Sequence, residues 1–362
     1  MTTMLRPVAQ RPRVVFVWHG LPAYGARLIR SAIYADVSDI RVVATRPSFS
    51  TAPVDQALSG LVQWHDADER LAWSQVAWGV PDILISTGWG FPFCQRLSCE
   101  AAKAGVPVVM MSDNRWRGDV RQMIGKVAYR LLYKRTFSAG WVPGDSAARV
   151  LREFGVPKER IFPCLYGCDP GLFSSPLRLS TRDKSIVFVG QMIRRKGIDV
   201  LIEAFVRSRL VHAGWRLLMF GSGPLSRLAH GTPGIFHQEF SPPEVIAKAV
   251  GSARIFAMPS RDDNWPLALH EGTAAGCLLL TTTAVGSTRE FVDLENGRIV
   301  TPGDVEELRT ALLHLAALND SQLDRAEATS IAKAGHFGPT PFARVFERIC
   351  RTFANQPTPT PC

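Results

Sequence analysis

The chain has 362 residues, 46% of them hydrophobic and 20% charged, a composition that excludes a disordered protein. Its length predicts two domains, because single hydrophobic cores rarely grow beyond about 250–300 residues. The net charge of +10 indicates an anionic partner. No apolar run approaches the roughly 20 residues that span a bilayer. The run at 14–18, after the basic N-terminus, is too short for a signal peptide, so we expect a cytoplasmic protein.

Short apolar runs alternate with helical stretches along the chain, which is typical of parallel strands covered by helices on both faces. In the first half these runs are 14–18, 41–45, 83–86, 108–111 and 139–142, and in the second half 186–189, 216–220, 234–237, 254–257 and 278–282. The pattern predicts an α/β protein with two doubly wound domains. Ligands are then expected where the carboxyl ends of the strands face the cleft between the domains.

A segment rich in Gly, Pro and Ser, residues 164–177, interrupts this alternation and predicts an interdomain connection. We therefore expect a first domain over 1–165, a linker over 166–180, a second domain over 181–355 and a disordered tail over 356–362. The seven cysteines are odd in number and lack CxxC spacing, which favours buried free thiols over a disulfide framework or a zinc site.

Three consecutive cations follow the first apolar run of the second domain. The run ends at Gly190, and Arg194, Arg195 and Lys196 precede Gly197 and a helical stretch. Cations and free helix N–H groups at the carboxyl end of a strand suit a diphosphate. A solvated basic loop is the alternative for this motif taken alone.

Two further motifs follow in the same domain. Gly221 and Gly223 form a glycine turn after a strand, without the third glycine of a dinucleotide site or the Lys-Ser/Thr of a P-loop. Asp263 and Glu271 lie eight residues apart, Asp263 in the loop before a helix that Pro266 is expected to start and Glu271 one turn into that helix. Both carboxylates are then predicted to face one cleft, with helix capping as the alternative.

Together, the order and spacing of these motifs resemble the C-terminal domain of family 4 retaining glycosyltransferases of GT-B fold. The matching stretches read VGQMIRRKG, GSGP, PSRDDNWPLALHEGTAAG and GSTRE. The resemblance extends over about residues 186–300 and more loosely back through 140–173. It implies a GT-B fold, two Rossmann-like domains facing across a cleft, and a nucleotide diphosphate sugar, UDP- or GDP-linked, as donor substrate, with no other cofactor.

The resemblance also implies roles for individual residues. Lys196 would contact the diphosphate, with Arg194 or Arg195 assisting, and Glu271 would accept hydrogen bonds from the ribose hydroxyls. Asp263 would lie near the transferred sugar. The remaining donor-site residues implied are Gly221, Gly223, Trp265, Leu267 and Glu290, with the backbone N–H groups around Trp265 to Leu267 reaching the sugar.

The chain departs from the family pattern at four positions. Gln191 stands where Arg is usual, Asp263 replaces Glu, and Pro266 replaces Gly and so removes a backbone donor. In the first domain, Ser112 and Asp113 stand where His-Asp is usual, and Asp113 is the catalytic candidate there. These departures bear on the sugar specificity and on catalysis.

The remaining candidates lie in the first domain. Gly20 and Gly25 follow the first apolar run, where the family keeps a glycine loop near donor and acceptor. Asp66 and Asp68 form a DxD sequence, the metal-binding signature of the other major glycosyltransferase fold. Because DxD is common by chance and the two-domain pattern fits GT-B, no metal site is predicted.

A basic segment over residues 115–135 bears on partners. It carries seven Lys and Arg residues against Asp119 alone. As a helix it would align Lys126, Arg130 and Lys134, with Ile124 and other apolar residues on another stripe. This pattern suits an anionic membrane surface or a lipid-diphosphate acceptor. A core-packed helix with a solvated charged face is the alternative, and no nucleic-acid motif accompanies the charge.

The sequence thus predicts a metal-independent retaining glycosyltransferase that acts on a saccharide or lipid-linked acceptor in cell-surface polysaccharide assembly. We expect it in the cytoplasm or at the inner face of the membrane. Two alternatives remain: a catalytically silent subunit that binds a nucleotide sugar or supports a partner transferase, and a GT-B epimerase acting without an acceptor.

Overall fold

The computed structural model describes residues 11–47, 50–76, 78–239 and 241–354. The predicted tail over 356–362 lies outside these residues. In chain order the first half contains β1 (Arg13–Trp18), α1 (Ala23–Tyr34), β2 (Asp39–Thr45), α2 (Ala52–Leu58), β3 (Val62–His65), β4 (Ile83–Ser86), α3 (Pro92–Lys103), β5 (Val108–Met111), α4 (Val120–Ala128), β6 (Ala139–Trp141), α5 (Asp145–Phe154) and β7 (Ile161–Phe162). A π-helical turn, Tyr129–Tyr133, extends α4.

The second half follows the same alternation. It contains α6 (Pro170–Phe173), β8 (Asp183–Val189), α7 (Ile198–Ser208), β9 (Arg216–Phe220), β10 (Ile235–Gln238), α8 (Pro243–Ser252), β11 (Ala253–Met258), α9 (Leu267–Ala274), β12 (Leu278–Thr282), α10 (Thr288–Phe291), β13 (Gly297–Val300), α11 (Val305–Ala316), α12 (Asp320–Ala334) and α13 (Pro339–Ala354). Over the described residues, no helix combines the length and the apolar character needed to cross a membrane.

The strands form two parallel sheets. Their orders are β3-β2-β1-β4-β5-β6-β7 and β10-β9-β8-β11-β12-β13, so each sheet is doubly wound outward from a central strand. Central strands such as β4 and β12 are buried along their whole length, because helices cover both faces. The predicted pair of Rossmann-like domains in a GT-B arrangement is therefore confirmed.

Three strands were missing from the sequence prediction: β3, β7 and β13. All three lie at an edge of their sheet. Only the last residue of β3 is buried, and β13 is buried only at its two ends. An edge strand lacks the second neighbour that would bury it, so its sequence does not show a continuous apolar run.

The helix α13 corrects the predicted extent of the second domain, which was placed over 181–355. Its apolar stripe packs on the first sheet beside α1, with the Phe346 ring 5.8 Å from Phe16 and the Phe342 ring 4.3 Å from Trp141. The buried positions 342, 346, 349, 350 and 353 share one helical face. The chain therefore returns to the first domain after α12, because this stripe fits the core of the first domain.

The two connections between the domains lie side by side. A Cβ atom added at Gly167, in the first connection, would lie 2.1 Å from the backbone nitrogen of Gly338, in the second. The first connection also packs on the second domain, because Cys168 and Phe173 share a small apolar cluster with Ala274. The chain thus passes between the two domains twice, and both connections lie at the same place.

Candidate active site

A cavity of about 390 Å³ opens at the carboxyl end of β8, between the loop that follows this strand and the start of α9. It lies where a doubly wound sheet places its ligands. Among the predicted residues, Arg195, Lys196, Leu267 and Glu271 line it. The other lining residues are Phe173, Val189, Gly190, Gln191, Pro243, Ile246, Pro266 and Ala268.

Lys196 reaches this cavity from a short 3₁₀ turn, Arg194–Lys196, that ends at Gly197. Gly197 has a φ of +69°, and a Cβ atom there would lie 2.0 Å from the carbonyl oxygen of Pro259. Only glycine allows this approach, since the backbone of one loop rests on the other. The turn therefore holds Lys196 at a fixed place at the edge of the sheet.

Asp263 is the partner of Lys196. The Lys196 Nζ lies 2.5 Å from Asp263 Oδ2, and both side chains are largely buried. Backbone bonds to Ala284 and Gly286, in the loop after β12, fix Asp263 on both sides. Arg195 lies farther away, with Nη1 3.8 Å from Asp263 Oδ2, and is 44% exposed. Lys196 is thus a preorganised, largely buried cation, and Arg195 is a more exposed one.

Glu271 projects from α9 into the same cavity. Burial raises its pKa to about 7, while the charge of Arg27, from the first domain, acts in the opposite direction. The preceding His270 anchors the helix: its Nδ1 accepts from the backbone N–H of Cys168 at 2.9 Å, and Nε2 contacts the Ala334 carbonyl at 3.1 Å. Glu271 is therefore a carboxyl group poised between its neutral and charged forms near neutral pH.

Asp113 faces this region from the first domain. Burial is the main cause that raises its pKa, and the negative charge of Asp263 adds to it. Tyr24 and Tyr166 lie beside it with their rings in edge contact 5.7 Å apart, and burial together with Asp113 raises the pKa of Tyr24 to about 12. The structure thus places Asp113 where its charge and that of Asp263 influence each other. The two tyrosines carry no motif, so sequence reasoning missed them.

Several predicted donor-site residues do not line the cavity. Gly221 and Gly223 pack under the loop after β8, where Cβ atoms would meet backbone atoms of Gly190 at 1.9 Å and of Met192 at 2.5 Å. They shape the cavity from behind because the two loops touch. Arg194 is exposed and is not among the lining residues, and its carbonyl oxygen accepts from Arg261 at 2.8 Å.

Trp265 and Glu290 lie at the contact between the domains. Trp265 is buried among Phe291 and Phe337. Glu290 Oε1 accepts from the backbone N–H of Asp145, in the first turn of α5, at 2.7 Å. In the first domain, Gly25 packs within α1 against Trp18, and Gly20 donates to Thr45 Oγ1 from the loop after β1. None of these four residues lines the cavity.

Replacing Gly144 with alanine should separate the domains. A Cβ atom there would lie 2.3 Å from Glu290 Oε1 and 2.5 Å from the Trp265 ring, which is buried and unable to retreat. Overpacking of this kind costs about 1–3 kcal/mol. We expect a lower melting temperature and a larger radius of gyration in X-ray scattering.

The matched control is Gly90→Ala, because a Cβ atom at Gly90 meets nothing within 4 Å. Equal melting temperatures for Gly144→Ala and Gly90→Ala would contradict the tight interdomain packing.

A second contact between the domains, which the sequence did not predict, is formed by the basic segment. Arg115 and Arg117, from the basic segment, both reach the loop next to Asp263, with Nη2 atoms 3.0 and 2.9 Å from the Asp262 carboxylate. Partial burial opposes ionisation of Asp262, but hydrogen bonds from these arginines lower its pKa overall. The contact is therefore stable at neutral pH and weakens as pH falls through the lowered pKa. The segment's charge was visible in the sequence, whereas its partner lies 147 residues away.

Within the described ranges, no group of three or more His, Cys, Asp or Glu side chains is arranged so that it could hold a metal ion. His65, which directly precedes the DxD sequence, contacts Glu69, with its Nδ1 atom 2.9 Å from Glu69 Oε2.

Solved structures share this two-domain architecture. HepE of Anabaena, solved in complex with UDP and glucose, superimposes with a TM-score of 0.71 over 95% of this chain and 100% of its own, at 14% identity. At that identity the likeness establishes the fold, which is that of the GT-B glycosyltransferases.

A family model matches the second domain. Residues 183–317 match the glycosyl transferases group 1. It is 32% identical to an exopolysaccharide phosphotransferase of Streptomyces coelicolor over 46% of this chain and 18% of that protein. It is 29% identical to the MMP alpha-(1→4)-mannosyltransferase of Mycolicibacterium hassiacum over 55% of this chain and 48% of that protein. The match thus spans less than half of each relative.

Proposed function

We propose that this protein is a retaining glycosyltransferase that transfers a sugar from a UDP- or GDP-linked donor to a saccharide or lipid-linked acceptor. Its place would be the assembly of a cell-surface polysaccharide at the cytoplasmic face of the membrane. One observation carries the proposal: Lys196 and Glu271 line the same cavity at the carboxyl end of β8. A fixed cation and a buried carboxyl group are the two contacts that a nucleoside diphosphate needs.

The cavity suits such a donor in size and in chemistry. Its volume of about 390 Å³ falls within the range of small-molecule sites. The diphosphate would pair with Lys196 and Arg195, and the ribose diol would donate hydrogen bonds to Glu271. The base would rest on the apolar side formed by Phe173, Pro243 and Ile246.

The reaction proposed is a displacement on one face of the sugar. The bond between the anomeric carbon and the phosphate oxygen breaks, and the acceptor oxygen bonds to the anomeric carbon from the same side. The acceptor proton passes to the departing phosphate oxygen. Lys196 stabilises the charge that develops on the diphosphate, and its preorganised position makes this effective. The step requires neither a strong protein base nor a metal ion.

The two cleft carboxylates would act on the sugar. Asp263 lies beside Lys196, so the donor's sugar would sit next to a carboxylate able to stabilise positive charge at the anomeric carbon. Asp113 faces the same region from the first domain. The pairing of Lys196 with Asp263 also keeps the cation in place while the site is empty of donor.

Similar proteins support a nucleotide sugar as the donor substrate. HepE holds UDP and glucose on the same fold, and one of the relatives is named as a mannosyltransferase. The other is named for an exopolysaccharide, which supports a polysaccharide product. Gln191, where the family has Arg, lines the cavity, so we expect it to help select the donor.

A thermal-shift screen against UDP, GDP, ADP, TDP and CMP, with their sugar conjugates, tests the proposal. A ligand present at 100 times its dissociation constant stabilises a protein by about 2.7 kcal/mol. We expect one nucleotide family to raise the melting temperature by roughly 5 °C. The increase should disappear in Glu271→Ala and persist in Glu159→Ala, whose side chain is exposed and does not line the cavity.

Two results would overturn the transferase assignment. Nucleotide binding without transfer or hydrolysis, across a broad panel of donors and acceptors, would identify a silent subunit. A new nucleotide sugar formed without an acceptor would identify an epimerase.

A further inference from the structure

An exposed apolar surface lies on α4 and the π-helical turn that follows it. We call it the α4 face, and its six residues are Val120, Met123, Ile124, Val127, Leu131 and Leu132. Their exposed fractions run from 47% at Met123 to 78% at Leu131. A contiguous apolar surface of this kind is uncommon on a monomeric protein and marks an interaction site.

The α4 face is exposed because the opposite side of the helix carries the packing. Tyr129 is buried there, with its ring 5.4 Å from that of Phe154. Gly125 lies on the same inner side and lets the helix approach Phe154 closely. Asp119 caps the helix by accepting from the backbone N–H of Gln122 at 2.8 Å. The helix is therefore held firmly in place with its apolar stripe outward.

The π-helical turn widens this surface. In a regular helix, Leu132 would rotate away from the stripe that Val120, Val127 and Leu131 share. The wider turn from Tyr129 to Tyr133 keeps both leucines exposed, at 78% and 68%.

Cations border the α4 face. Arg121, Lys134 and Arg135 are exposed, and none of them forms an ion pair with a carboxylate of the described residues. The other two cations of the helix are engaged inward, Lys126 with Glu153 and Arg130 with the carbonyl end of α5. Free positive charge thus surrounds the apolar stripe.

We propose that the α4 face docks the protein on a membrane surface that contains anionic lipids. The six apolar side chains would enter the boundary between headgroups and acyl chains, and the three free cations would pair with lipid phosphates. Charge complementarity selects this occupant. A second copy of the chain would bring two cationic faces together, which is unfavourable.

The docked orientation would place the cleft at the membrane. The loop just before α4 carries Arg115 and Arg117, whose side chains contact Asp262 next to the candidate active site. The α4 face and the cleft are therefore connected by a few fixed residues. This part of the inference rests on the proposed function: it assigns a lipid-linked acceptor, presented from the bilayer, to the transferase.

The test is vesicle flotation of the full chain with phosphatidylcholine alone and with phosphatidylcholine mixed with phosphatidylglycerol. We expect binding to the anionic vesicles only, and weaker binding as salt increases. Each surface cation contributes roughly a fivefold change in membrane affinity. The triple variant Arg121→Gln, Lys134→Gln, Arg135→Gln should therefore bind roughly 100-fold more weakly.

Two substitutions within the apolar stripe and a matched control outside it test the contact of the stripe with lipid. Ile124→Glu and Leu131→Glu place charges within the stripe and should abolish flotation. Leu294→Glu makes the same change at a leucine that is 83% exposed in the second domain, and it should float like the parent chain. Far-ultraviolet circular dichroism and the melting temperature verify that each variant is folded.

Three outcomes overturn the inference. They are equal binding to neutral and anionic vesicles, unchanged binding of Ile124→Glu, and a dimer in light scattering that Ile124→Glu dissociates, which would make the α4 face a subunit interface. Nucleotide binding is measured on the same variants by thermal shift. Loss of flotation with intact nucleotide binding is the expected pattern, and absent flotation in a parent chain that binds nucleotide refutes the docking surface alone.

Discussion

Replacing Lys196 with alanine should lower the rate of sugar transfer roughly 100- to 1,000-fold, the loss expected when a preorganised group that stabilises developing charge is removed. Lys196 is the less exposed of the two cavity cations and is fixed by its turn and by Asp263. Arg195→Ala should cost less, because that side chain is 44% exposed and its charge is screened by solvent. Steady-state kinetics with the identified donor measures both effects.

The lysine variant also affects stability, and the two effects can be separated. Removal of Lys196 leaves Asp263 buried without its main counter-ion, which costs up to about 3–5 kcal/mol. The double variant Lys196→Ala, Asp263→Asn removes both charges. It should recover most of the lost melting temperature and none of the lost activity.

Lys184→Ala is the matched control, because this exposed lysine lies at the opposite end of β8. Near parental activity in Lys196→Ala would contradict the assignment of this residue to the leaving diphosphate. A fall in activity that the double variant restores would reassign Lys196 to a structural role.

Replacing Glu271 with glutamine should stabilise the protein and weaken the donor complex. Burial raises the pKa of Glu271 from 4.5 to about 7, so its neutral form is favoured in the folded state. Its contribution to stability is therefore complete below pH 4.5 and is lost as pH rises through about 7. Glutamine is neutral at every pH, so the free energy of unfolding of the variant does not fall in this way as pH rises.

The expected result is a pH-dependent difference between variant and parent. The two should have equal free energies of unfolding near pH 4.5, and the variant should gain on the order of 3 kcal/mol above pH 8. Denaturant titrations at several pH values measure it. A constant difference across this range would contradict the raised pKa.

Donor binding should favour the charged form of Glu271, whereas burial alone favours the neutral form. Ribose hydroxyls that donate to Glu271 favour its charged form, so binding near pH 6.5 should release a proton. Calorimetry in two buffers of different ionisation enthalpy would detect the release in the parent chain and its absence in Glu271→Gln. Unchanged nucleotide affinity in the variant would contradict the ribose contact.

The fold class was accessible from the sequence because it depends on local pattern. Buried parallel strands such as β4, β5, β9 and β12 have continuous apolar runs, and their predicted bounds match the structure. The edge strands β3, β7 and β13 have no such run. The placement of α13 could not be predicted, since an amphipathic stripe shows that a helix packs and does not show on which sheet.

The candidate site was accessible in part for the same reason. Lys196, Leu267 and Glu271 belong to motifs in which spacing along one strand, turn or helix fixes the position. Trp265 and Glu290 belong to the same motifs, yet they contact the first domain instead of the cavity. A sequence motif therefore predicts the region in which a residue lies. Packing against distant segments of the chain decides what its side chain contacts there.

The sequence by itself determined the two doubly wound domains, the resemblance of the second to a known family, and the basic segment over 115–135. These features follow from periodicity, spacing and charge, which are properties of short stretches of chain. Only the tertiary structure decided that the charges of Asp113 and Asp263 influence each other, that Arg115 and Arg117 pair with Asp262, and that the stripe on α4 faces solvent. Each of these depends on contacts between segments far apart in the chain, whose distance is set by how whole sheets and helices pack.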